Sequence, residues 1–171
     1  MSFDIHYHTC NLGEKKKKVT NPFTRQTMDV FADDGLTADE RAAVSKLLAN
    51  AKAKGPDQLG CWVVNFRDGG GAEVFLDNLD GSGTCEGCMV SISGITPNLV
   101  NFIYDLARVG NMVMTPVTEE SVSVVTSAEQ QKKIKARWPD AVVVGSADGL
   151  QVLLDKGVGA WQKYRDRAVG S

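Results

Sequence analysis

The sequence predicts an α+β fold: a mixed, mainly antiparallel sheet with a C-terminal βαβ unit and helices packed on it. Three observations carry this expectation. Residues 61–66 and 88–93 alternate between apolar and polar side chains, the period of a half-buried strand. Helix-start signals stand at Thr37, Thr96 and Ser127, each a hydroxyl able to accept from an orphan backbone N–H. Beyond residue 120 the rhythm becomes strand, helix, strand, closing on the apolar run Ala141-Val142-Val143-Val144. Such a run is expected of a strand buried on both faces.

With 171 residues, the chain fits a single domain, 1–171, large enough to bury about two-thirds of its unfolded surface. No internal repeat, low-complexity linker or break in composition divides it.

The elements follow in order. Two or three strands are expected near 3–10, 17–20 and 26–31, with Lys15–Lys18 at or just past the first turn. Thr37-Ala38-Asp39-Glu40 is a capping box, and Val44, Leu47, Leu48 and Ala51 recur on one face of the helix it opens. Gly55-Pro56 ends that helix. Residues 61–66 and 72–76 form a hairpin through Arg67-Asp68-Gly69-Gly70-Gly71, a loop calling for positive φ. Trp62, Val64 and Phe66 share a face of its first arm. Thr96-Pro97 starts a helix with the stripe Leu99, Phe102, Ile103 and Leu106, closed by Gly110.

Strand 121–126, helix 127–138 and strand 141–145 make the βαβ unit, right-handed by default. Its helix carries only Ile134 and Trp138 as large apolar residues and is placed on the surface, with Ser127 and Gln130 as its capping box. Ser146 or Asp148 caps a further helix through Leu150, Leu153 and Leu154. Gly157 and Gly159 interrupt it before a short C-terminal helix bearing Trp161 and Tyr164.

A formal charge of −2 gives no general reason to expect nucleic acid or an anionic membrane as partner. No apolar run approaches the ~20 residues that span a bilayer. Four cysteines without a secretory signal favour reduced thiols in a cytoplasm, a setting that suits a bacterial protein.

Both histidines lie in Phe3-Asp4-Ile5-His6-Tyr7-His8-Thr9-Cys10. On a strand, His6, His8 and Cys10 would line one face. Cys85-Glu86-Gly87-Cys88 has knuckle-like spacing, and zinc takes four Cys or His ligands. His6, His8, Cys10, Cys85 and Cys88 are therefore the candidate metal ligands, with Cys61 in reserve. A second Cys-x-x-Cys or a His-x₃-His, the mark of a strong zinc signature, is absent. The competing reading buries Cys88 beside Val90 and Ile92 as a small apolar group. A redox role is weaker, because the pair leads into a strand and not a helix N-terminus.

Asp4, His6, His8 and Thr9 also fit Asp-x-His-x-His-Thr. In this the segment resembles the first motif of the polymerase-and-histidinol-phosphatase superfamily of metal-dependent phosphoesterases. The likeness covers Asp4 to Thr9 alone. It implies further histidines and acids around a metal cluster, on strands of a longer barrel. The chain has no third histidine and no repeated βα pattern, so membership is rejected.

Other constellations read as ordinary surface. Asp77–Thr84 is oxygen-rich but places Met89 where an EF-hand needs glutamate, and is taken as a solvated turn. Gly69–Gly71 lies between strands, where no helix N-terminus can hold a phosphate. Lys132, Lys133, Lys135 and Arg137 form a solvated face, as does Lys15–Lys18. No serine sits in a nucleophile elbow, and a Cys10–histidine dyad lacks an identifiable oxyanion hole.

The expected role is a non-catalytic protein-binding module, such as an inhibitor or an immunity protein neutralising a toxin or effector. Acidic loops at Asp33, Asp34, Asp77, Asp80, Glu119 and Glu120 would cover a basic site on that partner and steer association. The alternative is a small zinc-binding protein or metal-dependent hydrolase using the His/Cys set; no other cofactor is expected.

Overall fold

A computed structural model of the chain describes residues 3–21, 23–117 and 122–156. Among them, β1 (Phe3–Thr9), β2 (Lys16–Thr20), β3 (Thr27–Phe31), α1 (Ala38–Asn50), β4 (Cys61–Asn65), β5 (Gly71–Phe75) and β6 (Gly87–Ser93) come first. They are followed by α2 (Pro97–Val109), β7 (Met112–Pro116), β8 (Val124–Val125), α3 (Ala128–Ile134) and β9 (Val142–Val143). A last helix, α4, covers 147–156. None of these helices is long and apolar enough to cross a membrane.

Seven strands form one sheet in the order β4-β5-β6-β1-β7-β8-β9, while β2 and β3 make a separate two-stranded ribbon. Every pairing in the large sheet is antiparallel except β8–β9. The sheet is thus mixed and mainly antiparallel, with the βαβ unit at one end. The first strand in sequence sits in the middle, Tyr7 lying opposite Cys88 on one side and Met114 on the other.

Strand alternation divides the apolar residues between the two faces. Ile5, Tyr7, Val74, Cys88, Val90, Met112, Met114 and Val124 point to the face covered by α1, α2 and α4. There they meet Val44 and Leu48 of α1, Leu99, Ile103 and Leu106 of α2, and Leu150 and Leu154 of α4. The residues between them point the other way. Val113 and Val125, with Cys10, Ile134 and Ala141, form a second cluster beneath α3. Sandwiching on both faces explains why Met112-Val113-Met114 is fully buried and therefore lacks the alternation that marks a half-buried strand.

Local signals account for the helix starts. Thr37 Oγ1 accepts from Glu40 N at 3.2 Å and Glu40 Oε2 from Thr37 N at 2.8 Å, a complete capping box. Helix α1 stops at Asn50, before Gly55-Pro56, because Lys52 takes φ 55°. Thr96 caps α2 with Pro97 at its first position. Ser127 Oγ accepts from Gln130 N, but the Gln130 side chain accepts from Thr126 N and does not close a box.

Three expectations need correction. The β4–β5 loop uses positive φ at Gly69 only; Gly70 is needed because a Cβ there would come within 2.2 Å of Thr96 Oγ1. Strand β9 is an exposed edge, Val142 and Val143 both facing solvent, since only β8 pairs with it. Helix α3 ends at Ile134, and the next residues turn inward, Arg137 N and Trp138 N both donating to Ile134 O. Gly157, Gly159, Trp161 and Tyr164 lie outside the described residues.

Candidate functional site

The backbone brings the first strand and the Cys85–Cys88 turn together, as a shared metal site would require. Thr9 N donates to Glu86 O at 2.7 Å and His8 pairs with Gly87. The side chains nonetheless part company. Cys88 lies opposite Tyr7 and both belong, with Cys85, to the core under α1 and α2. His6, opposite Met89, faces the other way and is exposed. Cys10 is buried in the cluster beneath α3. The sheet itself thus separates the candidate ligands, and among the described residues no group of three or more His, Cys, Asp or Glu is placed to hold a metal.

All four cysteines are free and buried. Burial above all, and then the Glu40 carboxylate, push the Cys10 thiol up to about 12. Burial also raises Cys88 strongly, and raises Cys85 against the opposing charge of Arg41. Cys61 is raised by burial, with Asp57 and Glu73 adding to it. A thiolate is the reactive form, so none of these groups is prepared as a nucleophile.

The chemistry of the first strand converges instead on Asp33. Its side chain is only 2% exposed, and four donors surround it. Arg137 Nη1 and Nη2 reach Oδ2 and Oδ1, both at 2.6 Å. His8 Nε2 lies 2.7 Å from Oδ2, and Gly13 N donates to Oδ1 at 2.8 Å. Burial alone would raise the Asp33 carboxyl; the Arg137, His8 and Gly13 hydrogen bonds outweigh it and hold the group down at about 2. A carboxylate offers about four acceptor sites, and all are taken. Asp33 therefore has no lone pair to offer a partner's cation.

The surroundings fix this centre. The His8 ring packs against Trp138, centroids 5.4 Å apart. The Arg137 guanidinium stacks 4.3 Å from the Phe31 ring, with Lys16 Nζ 5.6 Å from the same ring. Gly13 is required where the chain crosses itself, since a Cβ there would lie 1.7 Å from Ala32 O. Asp33 thus ties the base of the β2–β3 ribbon to β1 through His8 and to the end of α3 through Arg137.

A polar chain runs beside it. Asn11 Nδ2 donates to Glu40 Oε2 at 2.7 Å, Asn111 Nδ2 to Asn11 Oδ1 at 3.1 Å, and Gln130 Nε2 to Asn111 Oδ1 at 3.2 Å. It links the start of α1, the α2–β7 turn and α3. Satisfied networks of this kind rigidify a fold; no unused polar atom in it points to a ligand.

Of the other acidic residues, Asp34, Asp77 and Asp80 are exposed. Asp80 Oδ1 accepts from Ser82 N, and Asn78 bonds both Ser82 Oγ and Thr84 O, so the loop is closed on itself. Arg41 joins it to the Asp34 side by donating to Gly83 O and Leu36 O. Glu119 and Glu120 lie outside the described residues.

Among the described residues, the ribbon is the longest exposed stretch. Of the described residues between Glu14 and Phe31, only Asn21 and Val30 are partly covered. Phe23 at its tip is 93% exposed, Met28 51% and Val19 40%. Near the tip, Asn21 Oδ1 accepts from Phe23 N and Thr24 N, Asn21 N donates to Gln26 O, and Arg25 takes φ 55°.

Sequence reasoning missed Arg137, Trp138, Asn11 and Phe23. Arg137 and Trp138 carried a faint signal, a cation and an aromatic at the end of a polar helix; the pairing with Asp33, across 104 positions, left no local pattern. In comparisons with known proteins, the chain matches no family model, no curated protein and no solved structure.

Proposed function

We propose that this chain is a non-catalytic protein-binding module, acting as an inhibitor or immunity protein does, by covering a surface of its partner. The observation that carries the reading is the β2–β3 ribbon, which holds Val19, Phe23 and Met28 in solvent on a base clamped at Asp33. Large apolar side chains grouped in solvent mark interaction surfaces, and a ribbon anchored at its base loses less freedom on binding than a free one.

The test is cross-linking in cells that make the protein, identification of what is captured, and reconstitution from purified components. A stoichiometric complex with a Kd below about 1 μM is expected. Failure of every captured protein to re-form a complex would overturn the reading.

A further inference from the structure

From the charge and side-chain distribution of the ribbon, we propose that β2–β3 is the docking element and that its partner is a protein with an acidic surface around an apolar pocket. This rests on the protein-binding reading and adds the place and the chemistry.

Charge is the first argument. Residues Glu14 to Phe31 hold five cationic side chains and two anionic ones, a net +3, while the whole chain is −2, leaving −5 on the remainder. The ribbon is a basic projection on an acidic body. Lys17 is engaged with Glu86 at 3.4 Å and Lys16 lies over Phe31. Lys15, Lys18 and Arg25 make no ion pair among the described residues. Charges left this way complement an acidic surface.

The ribbon's two faces supply the second argument. Register puts Lys16, Lys18 and Thr20 on one face with Phe31, Asp29 and Thr27. On that face Arg137 stacks on Phe31 at the base and the Thr20 and Thr27 hydroxyls pair at 3.2 Å, so its exposed surface is mostly polar. The opposite face pairs Val19 with Met28 and Lys17 with Val30. Val19 and Met28 lie open there, and Phe23 stands beyond them in the connecting turn. On the strip's own face Lys17 is held by Glu86, and Lys18 stands on the other face opposite Asp29. The cations thus flank the Val19–Met28 pair from the rest of the ribbon, and an apolar strip on a cationic ribbon fits a pocket with an acidic margin.

Other occupants fit less well. A second copy pairing β3 with β3 about its centre would set Asp29 opposite Asp29, a like-charge contact. Nucleic acid would meet Asp29 and Glu14 among the lysines, with no aromatic interleaved in Lys15–Lys18. Membrane insertion of Phe23 would carry Asn21, Thr24, Arg25 and Gln26 with it.

The experiment places a photocross-linking residue at Phe23 or Met28 of the full chain, with exposed Leu59 and Val152 as controls. Expected is one protein joined at the ribbon sites and not at the controls, through a segment rich in Asp and Glu. In the reconstituted complex, Lys15→Glu with Lys18→Glu should weaken binding at least tenfold, as should Phe23→Ser. Raising salt to about 0.5 M should weaken the unaltered complex in the same sense. Circular dichroism must show the variants folded. Cross-links at Leu59 or Val152 alone would overturn the ribbon assignment while leaving protein binding intact; none at any site would remove both. Phe23-dependent sedimentation with phosphatidylserine vesicles, or Lys-dependent binding to a DNA duplex, would overturn the acidic-protein partner.

Discussion

Replacing Asp33 by asparagine is the most direct probe of the clamp. The shape is kept, the charge is lost, and one carboxylate oxygen becomes an NH₂ facing donors from Arg137, His8 or Gly13. The fall of this carboxyl from its ordinary 3.8 to about 2 corresponds to about 2 kcal/mol, at 1.36 kcal/mol per pH unit. The Asp33 side chain is buried, but His8 and Arg137 keep part of their surface in solvent, so screening makes that figure an upper value. Asp33→Asn should therefore lose about 2 kcal/mol at pH 7 in urea unfolding followed by tryptophan fluorescence. The sign with pH follows from the depressed value. Stability from the ionised Asp33 is complete above about pH 5 and is lost as pH falls through 3.8 towards 2, so the two proteins should converge there. A loss below about 1 kcal/mol, or a gap unchanged between neutral and acid pH, would refute the clamp. A double-mutant cycle with Arg137→Met should give a coupling above about 1 kcal/mol.

Further outcomes can be stated briefly. Gly13→Ala should destabilise by more than about 2 kcal/mol in the same assay, because its Cβ meets the Ala32 carbonyl and not a movable side chain. Leu106→Ala, in the fully buried core of α2, should cost about 2–5 kcal/mol. Tyr7→Phe should cost about 1 kcal/mol, since its hydroxyl donates to Ile103 O at 3.1 Å in the core. A thiol reagent should find no reactive cysteine in the folded protein and four after denaturation, all four being free and buried.

Much of the fold was legible because its signals are local. The capping box at Thr37, the Pro97 start of α2 and the alternation of β6 each depend on residues within a few positions of one another. Strand β7 escaped notice for a physical reason: Met112-Val113-Met114 is buried from both sides, so its pattern resembles a continuation of the α2 core. The Val142–Val143 pair misled in the opposite direction, an apolar run that turned out to be an exposed edge. At the candidate site, His8 stood out by type, but Asp33 read as a solvent-facing acid and Arg137 as part of a solvated face. Each was ordinary by composition, and their meaning lay in a contact that sequence spacing does not encode.

The position of β1 has a consequence for how the molecule is made. It leaves the ribosome before every other strand of the sheet, yet its neighbours begin at Gly87 and Met112. At about 5–20 residues per second, Ile5 and Tyr7 wait several seconds with both strand edges open. The meander β4–β5–β6 can assemble meanwhile, and β7 to β9 can follow it. Neither half shares a hydrogen-bonded strand pair with the other; only β1 pairs with both. Closing two long loops onto one strand makes folding slow for a chain of this size. A peptide that captured residues 3–9 during that interval would leave two half-sheets with no strand between them, held together only through the helices packed on both.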